Sequence, residues 1–223
     1  MAYLPLLFQV CQELHPDILL GFYFQFAGGL RVSEVVSIEY SNIRQIKNNG
    51  TLSLSISLND KDLRPDLQTS FINQVKRNRS QYIMPIFGDS LETTFIYHKQ
   101  HFRKNLSNAV FLDNNNKPMT EKVYRNRFNH VKKEFIKRLF ESNDFNAKTY
   151  AIYLSSYRWS THIGRGTYSN IVAQNANNIG EIAIARGDMS LGSSLPYLND
   201  NKSVEQKVKN TFDEFYKGGE NHE

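Results

Sequence analysis

Residues 27–34 read Ala27-Gly28-Gly29-Leu30-Arg31-Val32-Ser33-Glu34. Two consecutive glycines end a helix, because glycine enters the left-handed backbone region without steric cost. Val32, Val35, Val36 and Ile38 then recur at helical spacing, so a new helix starts at Arg31. An arginine in that first turn sits at the positive end of the helix dipole. A cation is mildly disfavoured there and an anion is favoured. The placement suits a side chain that meets an anion.

Upstream of this break, residues 4–14 and 17–28 carry helical patterns. The second is apolar all round, with Ile18, Leu19, Leu20, Phe22, Tyr23, Phe24 and Phe26, which predicts burial. Downstream, Thr51-Leu52-Ser53-Leu54-Ser55-Ile56-Ser57-Leu58 alternates strictly, as a half-buried strand does. A second strand is expected over 81–87 and a short third over 109–112. An irregular polar stretch, Asn59 to Asn78, is broken at Pro65 and lies between the first two of these. Loops of that length in a compact domain are often functional. Helices are expected over 90–104, 120–141, 147–158, 160–174 and 179–186. The fold class is therefore mostly α with a small antiparallel β-sheet (α+β). No repeat or Pro/Gly-rich linker divides the chain, so residues 1–200 are expected to form one domain. Residues 201–223 follow as a tail with an amphipathic helix over Ser203–Tyr216. Val204, Val208, Phe212 and Phe215 form its stripe, which can pack on its own core or on a neighbouring subunit.

Of the 223 residues, 40% are hydrophobic, enough to build a sizeable core. No window approaches the ~18–20 apolar residues of a membrane span, and the start lacks a basic n-region and a cleavage site. Cys11 is the single cysteine, so no internal disulfide and no cysteine-based zinc site can form. Set among Leu6, Leu7, Val10 and Leu14, it reads as a core residue, and a reducing, cytoplasmic location is expected. The formal charge of +5 permits a polyanionic partner without demanding one. The stretch 120–141 sets Val123, Phe128, Val131, Phe135 and Leu139 against Lys122, Arg125, Lys132, Lys133 and Lys137. That basic face reads first as solvated, and second as facing phosphate.

Cutting a DNA strand with a protein nucleophile requires a nucleophilic oxygen and cations aimed at the non-bridging phosphate oxygens. It also requires an acid for the departing 5′-oxygen. Arginine supplies the charge without a metal, since its planar fork meets phosphate with two hydrogen bonds. Arg31 is one candidate. The C-terminal half adds His162-Ile163-Gly164-Arg165, Arg186-Gly187-Asp188 and Tyr197. His162 and Arg165 are three apart on a predicted helix and share a face.

Taken together these pieces resemble the tyrosine recombinase (phage integrase) family. Residues 27–34 resemble its first arginine motif, and Val35-Val36-Ser37-Ile38 with Tyr40-Ser41-Asn42-Ile43 resembles the run that turns into its sheet. His162 and Arg165 look like the second arginine motif, at family-typical intervals from Asp188 and Tyr197. Ser190, Ser193 and Ser194 echo its Ser/Thr-rich approach to the nucleophile. A rival register places the second motif at Ser155-Ser156-Tyr157-Arg158, but its interval to Asp188 is too long.

The resemblance implies a catalytic domain of that fold, spanning roughly residues 4–200. It implies cleavage and rejoining through a covalent 3′-phosphotyrosine on Tyr197, with Arg31 and Arg165 on the phosphate and His162 handling a proton. The family's hairpin lysine, an acid for the leaving oxygen, would be Lys76 or its rival Lys61. Asp188 stands where the family usually has histidine. It would pair with Arg186, accept from Tyr197 or orient an arginine. No cofactor is implied. The partners would be double-stranded DNA and further copies of the chain, a tetramer on DNA, in a mobile-element setting. Family members also usually carry an N-terminal DNA-binding domain, so a piece of a longer protein is expected, with a reduced family member as the alternative. The alternatives are a type IB topoisomerase, which shares the constellation, and a DNA-binding relative that has lost catalysis.

Overall fold

The computed structural model describes residues 2–48, 50–67, 78–105 and 107–188. Two compact units are present, the first ending at Tyr168 and the second beginning at Ser169. Among the described residues the elements are α1 (Leu4–Leu14), α2 (Pro16–Phe26), α3 (Val32–Val36), β1 (Ile43–Asn48), β2 (Thr51–Leu58), β3 (Arg79–Ile83), α4 (Ser90–His101), α5 (Glu121–Glu141), α6 (Phe145–Ser156), α7 (His162–Ala173) and α8 (Ile179–Arg186). This is the expected α+β class with a small antiparallel sheet.

In the first unit α2 is the central element. Pro16 pre-sets its first turn, and every residue from Ile18 to Phe26 is buried. Against it pack α1 and α4, while α5 packs on α1 and α6. The stripe of α5 buries Tyr124, Phe128, Val131, Phe135 and Leu139, with Thr120 capping the helix by accepting from Val123 N at 3.3 Å. At about 1.5–3 kcal/mol for each large apolar side chain removed from water, this aromatic core dominates the folding energy. Of the basic face of α5, Lys132 turns inward. Its Nζ donates to Trp159 O at 2.7 Å and lies 4.4 Å from the centre of the Trp159 ring.

The sheet has the order β1-β2-β3, both pairs antiparallel. Leu52, Leu54, Ile56 and Leu58 of β2 are buried, as the alternation predicts. Leu58 pairs with Arg79 and Ile56 with Gln81, which fixes where β3 begins. One strand is added and two expectations are corrected. Residues 43–48 form a strand that their polar composition did not announce. It is templated by pairing with β2. The strand expected over 81–87 covers Arg79–Ile83 instead. Residues 109–112 make two isolated bridges, Glu39 with Ala109 and Leu112 with Pro118, rather than a strand.

His98 fastens α4 to the core. Its Nδ1 lies 3.0 Å from Tyr40 Oη and its Nε2 3.1 Å from Asp17 O. The carbonyl can only accept, so Nε2 carries the proton and Nδ1 accepts from Tyr40. Burial holds the imidazole neutral, with its pKa down to about 4. A histidine depressed in the fold contributes stability above its unfolded pKa and loses it as pH falls toward the folded value. Lowering the pH from 7 to 5 should therefore cost about 2 kcal/mol through His98 alone. Urea unfolding should show this loss in the wild type and a clearly smaller one in His98→Gln.

Candidate active site

The break at residues 27–30 is built by two close approaches. Ala27 N–H donates to Tyr23 O at 2.8 Å, Gly29 to Gln25 O at 3.1 Å and Leu30 to Phe24 O at 3.0 Å, so the last carbonyls of α2 are capped. Gly29 has φ +67, and a Cβ there would lie 2.3 Å from Tyr168 Cδ1. The first turn of α7 approaches as closely. A Cβ on Gly164 would lie 2.8 Å from Gln25 Cβ and 3.0 Å from Phe26 Cδ2. These two glycines let the first turn of α7 lie directly on the end of α2.

That packing joins the two arginine motifs. Arg165, 4% exposed, donates from Nη1 to Gly29 O. Arg31 stands two residues beyond Gly29, in extended backbone at the N-cap of α3. His162 opens α7 and is exposed, with both of these arginines and Arg125 of α5 within electrostatic reach. Partial desolvation, then Arg125, Arg165 and Arg31 in that order, hold its pKa below the ordinary value, against a weaker opposing pull from Glu121. His162 is thus a neutral imidazole at pH 7, able to accept a proton or to donate a hydrogen bond beside concentrated positive charge.

Glu34 organises the arginines. It is fully buried. Its Oε2 accepts from the Arg31 backbone N–H at 2.8 Å and its Oε1 from Arg31 Nη1 at 3.1 Å. The backbone contact is the returning arm of a capping box, three residues into the helix. Arg79 closes on the same carboxylate as a fork, Nη1 to Oε1 at 2.7 Å and Nη2 to Oε2 at 3.1 Å. Arg79 Nε also donates to Gln81 Oε1 at 3.1 Å, and Gln81 hydrogen-bonds the phenol of Tyr168. A polar line therefore runs from α3 through β3 to α7. Burial alone would raise the Glu34 carboxyl, but Arg79 and then Arg31 hold it below the usual range.

Removing the charge of Glu34 leaves two guanidinium groups beside a neutral amide in a dry setting. Glu34→Gln is expected to cost about 3–5 kcal/mol of stability at pH 7, measured by chemical denaturation. A depressed carboxylate gives stability above its unfolded pKa and loses it as pH falls through the folded one. The gap between wild type and Glu34→Gln should accordingly narrow once the pH drops below about 4.

Arg31, His162 and Arg165 are thus brought together within the first unit. Arg158 of the rival register is exposed, in the segment after α6. Lys61 is exposed and pairs with Glu39, Nζ to Oε2 at 2.7 Å. Lys76 and Tyr197 lie outside the described residues, as does the tail over 201–223. In the second unit α8 is capped by Asn178, which accepts from Glu181 N at 3.1 Å. After its end Asp188 N–H donates to Ala183 O at 2.9 Å. The Asp188 carboxylate pairs with Arg186 Nε at 2.9 Å. Two residues in the first unit were missed as site residues. Glu34 carried a usable signal, its capping-box spacing from Arg31. Arg79 carried none, since its position opposite Glu34 depends on strand register. Arg125 belongs to the face that reads first as solvated and second as facing phosphate, and only the fold sets it near His162. No helix among the described residues is long and apolar enough to cross a membrane, and no group of three or more His, Cys, Asp or Glu among them could hold a metal ion.

No protein-family profile and no curated protein matches the chain. Solved structures do. The Tn1549 transposon integrase (residues 82–397), in complex with circular intermediate DNA, is similar at a TM-score of 0.64 and 17% identity over 92% of this chain and 62% of that one. XerA recombinase gives 0.55 and 13% over 92% and 61%. XerH site-specific recombinase bound to its difH substrate gives 0.53 and 12% over 91% and 49%. The chain spans less than two thirds of the length of these structures.

Proposed function

We propose that this chain, which has the catalytic-domain fold of the tyrosine recombinases, cuts and rejoins double-stranded DNA in site-specific recombination. The observation that supports this best is the meeting of Arg31, Arg165 and His162 at one turn, from segments far apart in sequence. Two guanidinium groups and a neutral imidazole concentrate donors and charge where a backbone phosphate can sit.

In this reading the phenol of Tyr197 attacks the scissile phosphorus. An O–P bond forms to tyrosine, the bond to the 5′-oxygen breaks, and the 3′ end stays on the protein. Arg31 and Arg165 hold the non-bridging oxygens as charge grows on them. His162, neutral at pH 7, takes the phenolic proton or donates a hydrogen bond. Lys76 delivers a proton to the departing 5′-oxygen, with Lys61 as its rival. Asp188, paired with Arg186, orients that arginine. Another strand's 5′-hydroxyl then reverses the step. The phosphodiester energy is conserved in the covalent link, so no nucleotide cofactor is consumed. Recombination between two duplexes calls for several copies of the chain, a tetramer on DNA, acting in the cytoplasm on behalf of a mobile element.

The test is a nicked suicide duplex, in which the short fragment bearing the new 5′-hydroxyl diffuses away and resealing is blocked. The wild-type protein should accumulate a denaturant-resistant protein–DNA adduct with a free 5′-hydroxyl on the released strand. Binding to duplex DNA without any adduct would refute the reading and leave a binder that has lost catalysis.

A further inference from the structure

We infer that Arg79 is a positioning residue: by gripping Glu34 with both terminal nitrogens, it keeps Arg31 from closing its own fork on that carboxylate. The inference rests on the proposed role of Arg31 at a DNA phosphate.

The geometry is that of one carboxylate shared by two guanidinium groups. A carboxylate offers about four acceptor directions. On Glu34 two go to Arg79, one to the Arg31 backbone and one to Arg31 Nη1. Arg79 is the more deeply set, its side chain 10% exposed against 20% for Arg31. Its Nε is held in addition by Gln81, so the fork is fixed from β3. The three groups carry a net single positive charge, and Arg31 is the more exposed of the two cations.

Without Arg79 that balance changes. The buried carboxylate loses two of its hydrogen bonds, a state that a dry site does not tolerate. The Arg31 guanidinium already touches Oε1 and is the other cation in contact with Glu34. Turning it inward to a bidentate grip satisfies the carboxylate and cancels its charge. Arg31 would then be displaced from a phosphate by about the width of its own head group, and small misplacements at a reacting centre cost about a hundredfold. Arg79 thus acts through Arg31 and need not touch DNA.

The experiment uses the full chain with Arg79→Met, Arg79→Lys and the double variant Arg79→Met/Glu34→Gln. Cleavage of the suicide duplex is measured at saturating DNA, below the melting transition of each variant. Arg79→Met should slow cleavage about a hundredfold. Arg79→Lys keeps the charge and loses the fork, so it should fall in between. The double variant should regain at least about a tenfold rate over Arg79→Met, because a neutral amide no longer captures Arg31. A readout independent of catalysis is the salt dependence of duplex binding. Its slope should fall by about one phosphate contact in Arg79→Met and return in the double variant. Wild-type rates in both single variants, or no recovery of rate and slope in the double variant, would overturn the inference. Should the wild type form no adduct while the slopes behave as stated, the cleavage reading fails and the positioning of Arg31 stands.

Discussion

Tyr197→Phe is expected to form no covalent adduct on the suicide duplex, with duplex affinity unchanged within about threefold at fixed salt. The substitution removes one oxygen, the atom to which the DNA 3′ phosphate would be joined, and leaves the ring. Affinity should hold because phosphate contacts to basic side chains supply most of it. The chain contains twelve tyrosines, so a substitute nucleophile has to be considered. Three of the described tyrosines are poorly suited. Tyr168 lies beside Arg165 but is buried and hydrogen-bonded by Gln81, and burial raises its pKa despite the nearby arginines. Tyr124 is fully buried and donates to Gln25 Oε1 at 3.0 Å. Tyr40 is pushed up to about 12, chiefly by burial. A phenol attacks as it loses its proton, and each of these is held further from doing so than a free tyrosine. The check is gel separation under denaturing conditions, followed by mapping of the DNA-linked peptide in the wild type. An adduct of undiminished yield in Tyr197→Phe, or a linked peptide that lacks residue 197, would remove Tyr197 from its role.

How much of this was legible in sequence depended on whether the information was local. The helices of the first unit were readable because their periodicity and caps lie within a few residues of one another. Pro16 and the Gly28-Gly29 break bound α2, and Thr120 opens α5, whereas α6 starts at Phe145, behind the Asp144 cap and ahead of the start expected at 147. Strand β2 was readable for the same reason. Strand β1 was not, because Ile43-Arg44-Gln45-Ile46-Lys47-Asn48 has no period of two, and its conformation is imposed by the ladder to β2. The site divides in the same way. Arg31 announced itself by an odd position in a helix start, and His162 and Arg165 by their shared face. Their meeting depends on two glycines, at 29 and 164, that admit Tyr168 and Gln25 at distances a side chain would forbid. A reader of the sequence sees the first glycine as a helix stop and the second as a weak helix former. Neither reading says which surface will arrive there. Arg79 was the least legible, since it reaches Glu34 only because Leu58 pairs with it across β2 and β3.

Arg165→Ala should slow strand cleavage about ten-thousandfold, in the range that loss of an arginine from a phosphoryl-transfer site produces. Two features argue for an effect this large. Arg165 is 4% exposed, so its charge would act on a bound phosphate with little competition from water. Its guanidinium is also held from behind, Nη1 donating to the Gly29 carbonyl, so its direction would be set before any phosphate bound. Preorganised donors contribute without reorganisation cost as charge develops. Arg165→Lys separates charge from geometry. Lysine keeps the positive charge but is a point donor that cannot both hold the Gly29 carbonyl and fork onto phosphate. Its rate should lie between the two, about a hundredfold below wild type. DNA affinity should change little in either variant, because a single phosphate contact is one among many. Because the Gly29 contact also ties α7 to the turn, melting midpoints must accompany the kinetics. Cleavage of the suicide duplex by folded Arg165→Ala within tenfold of wild type would show that the buried guanidinium braces the turn and does not take part in the reaction.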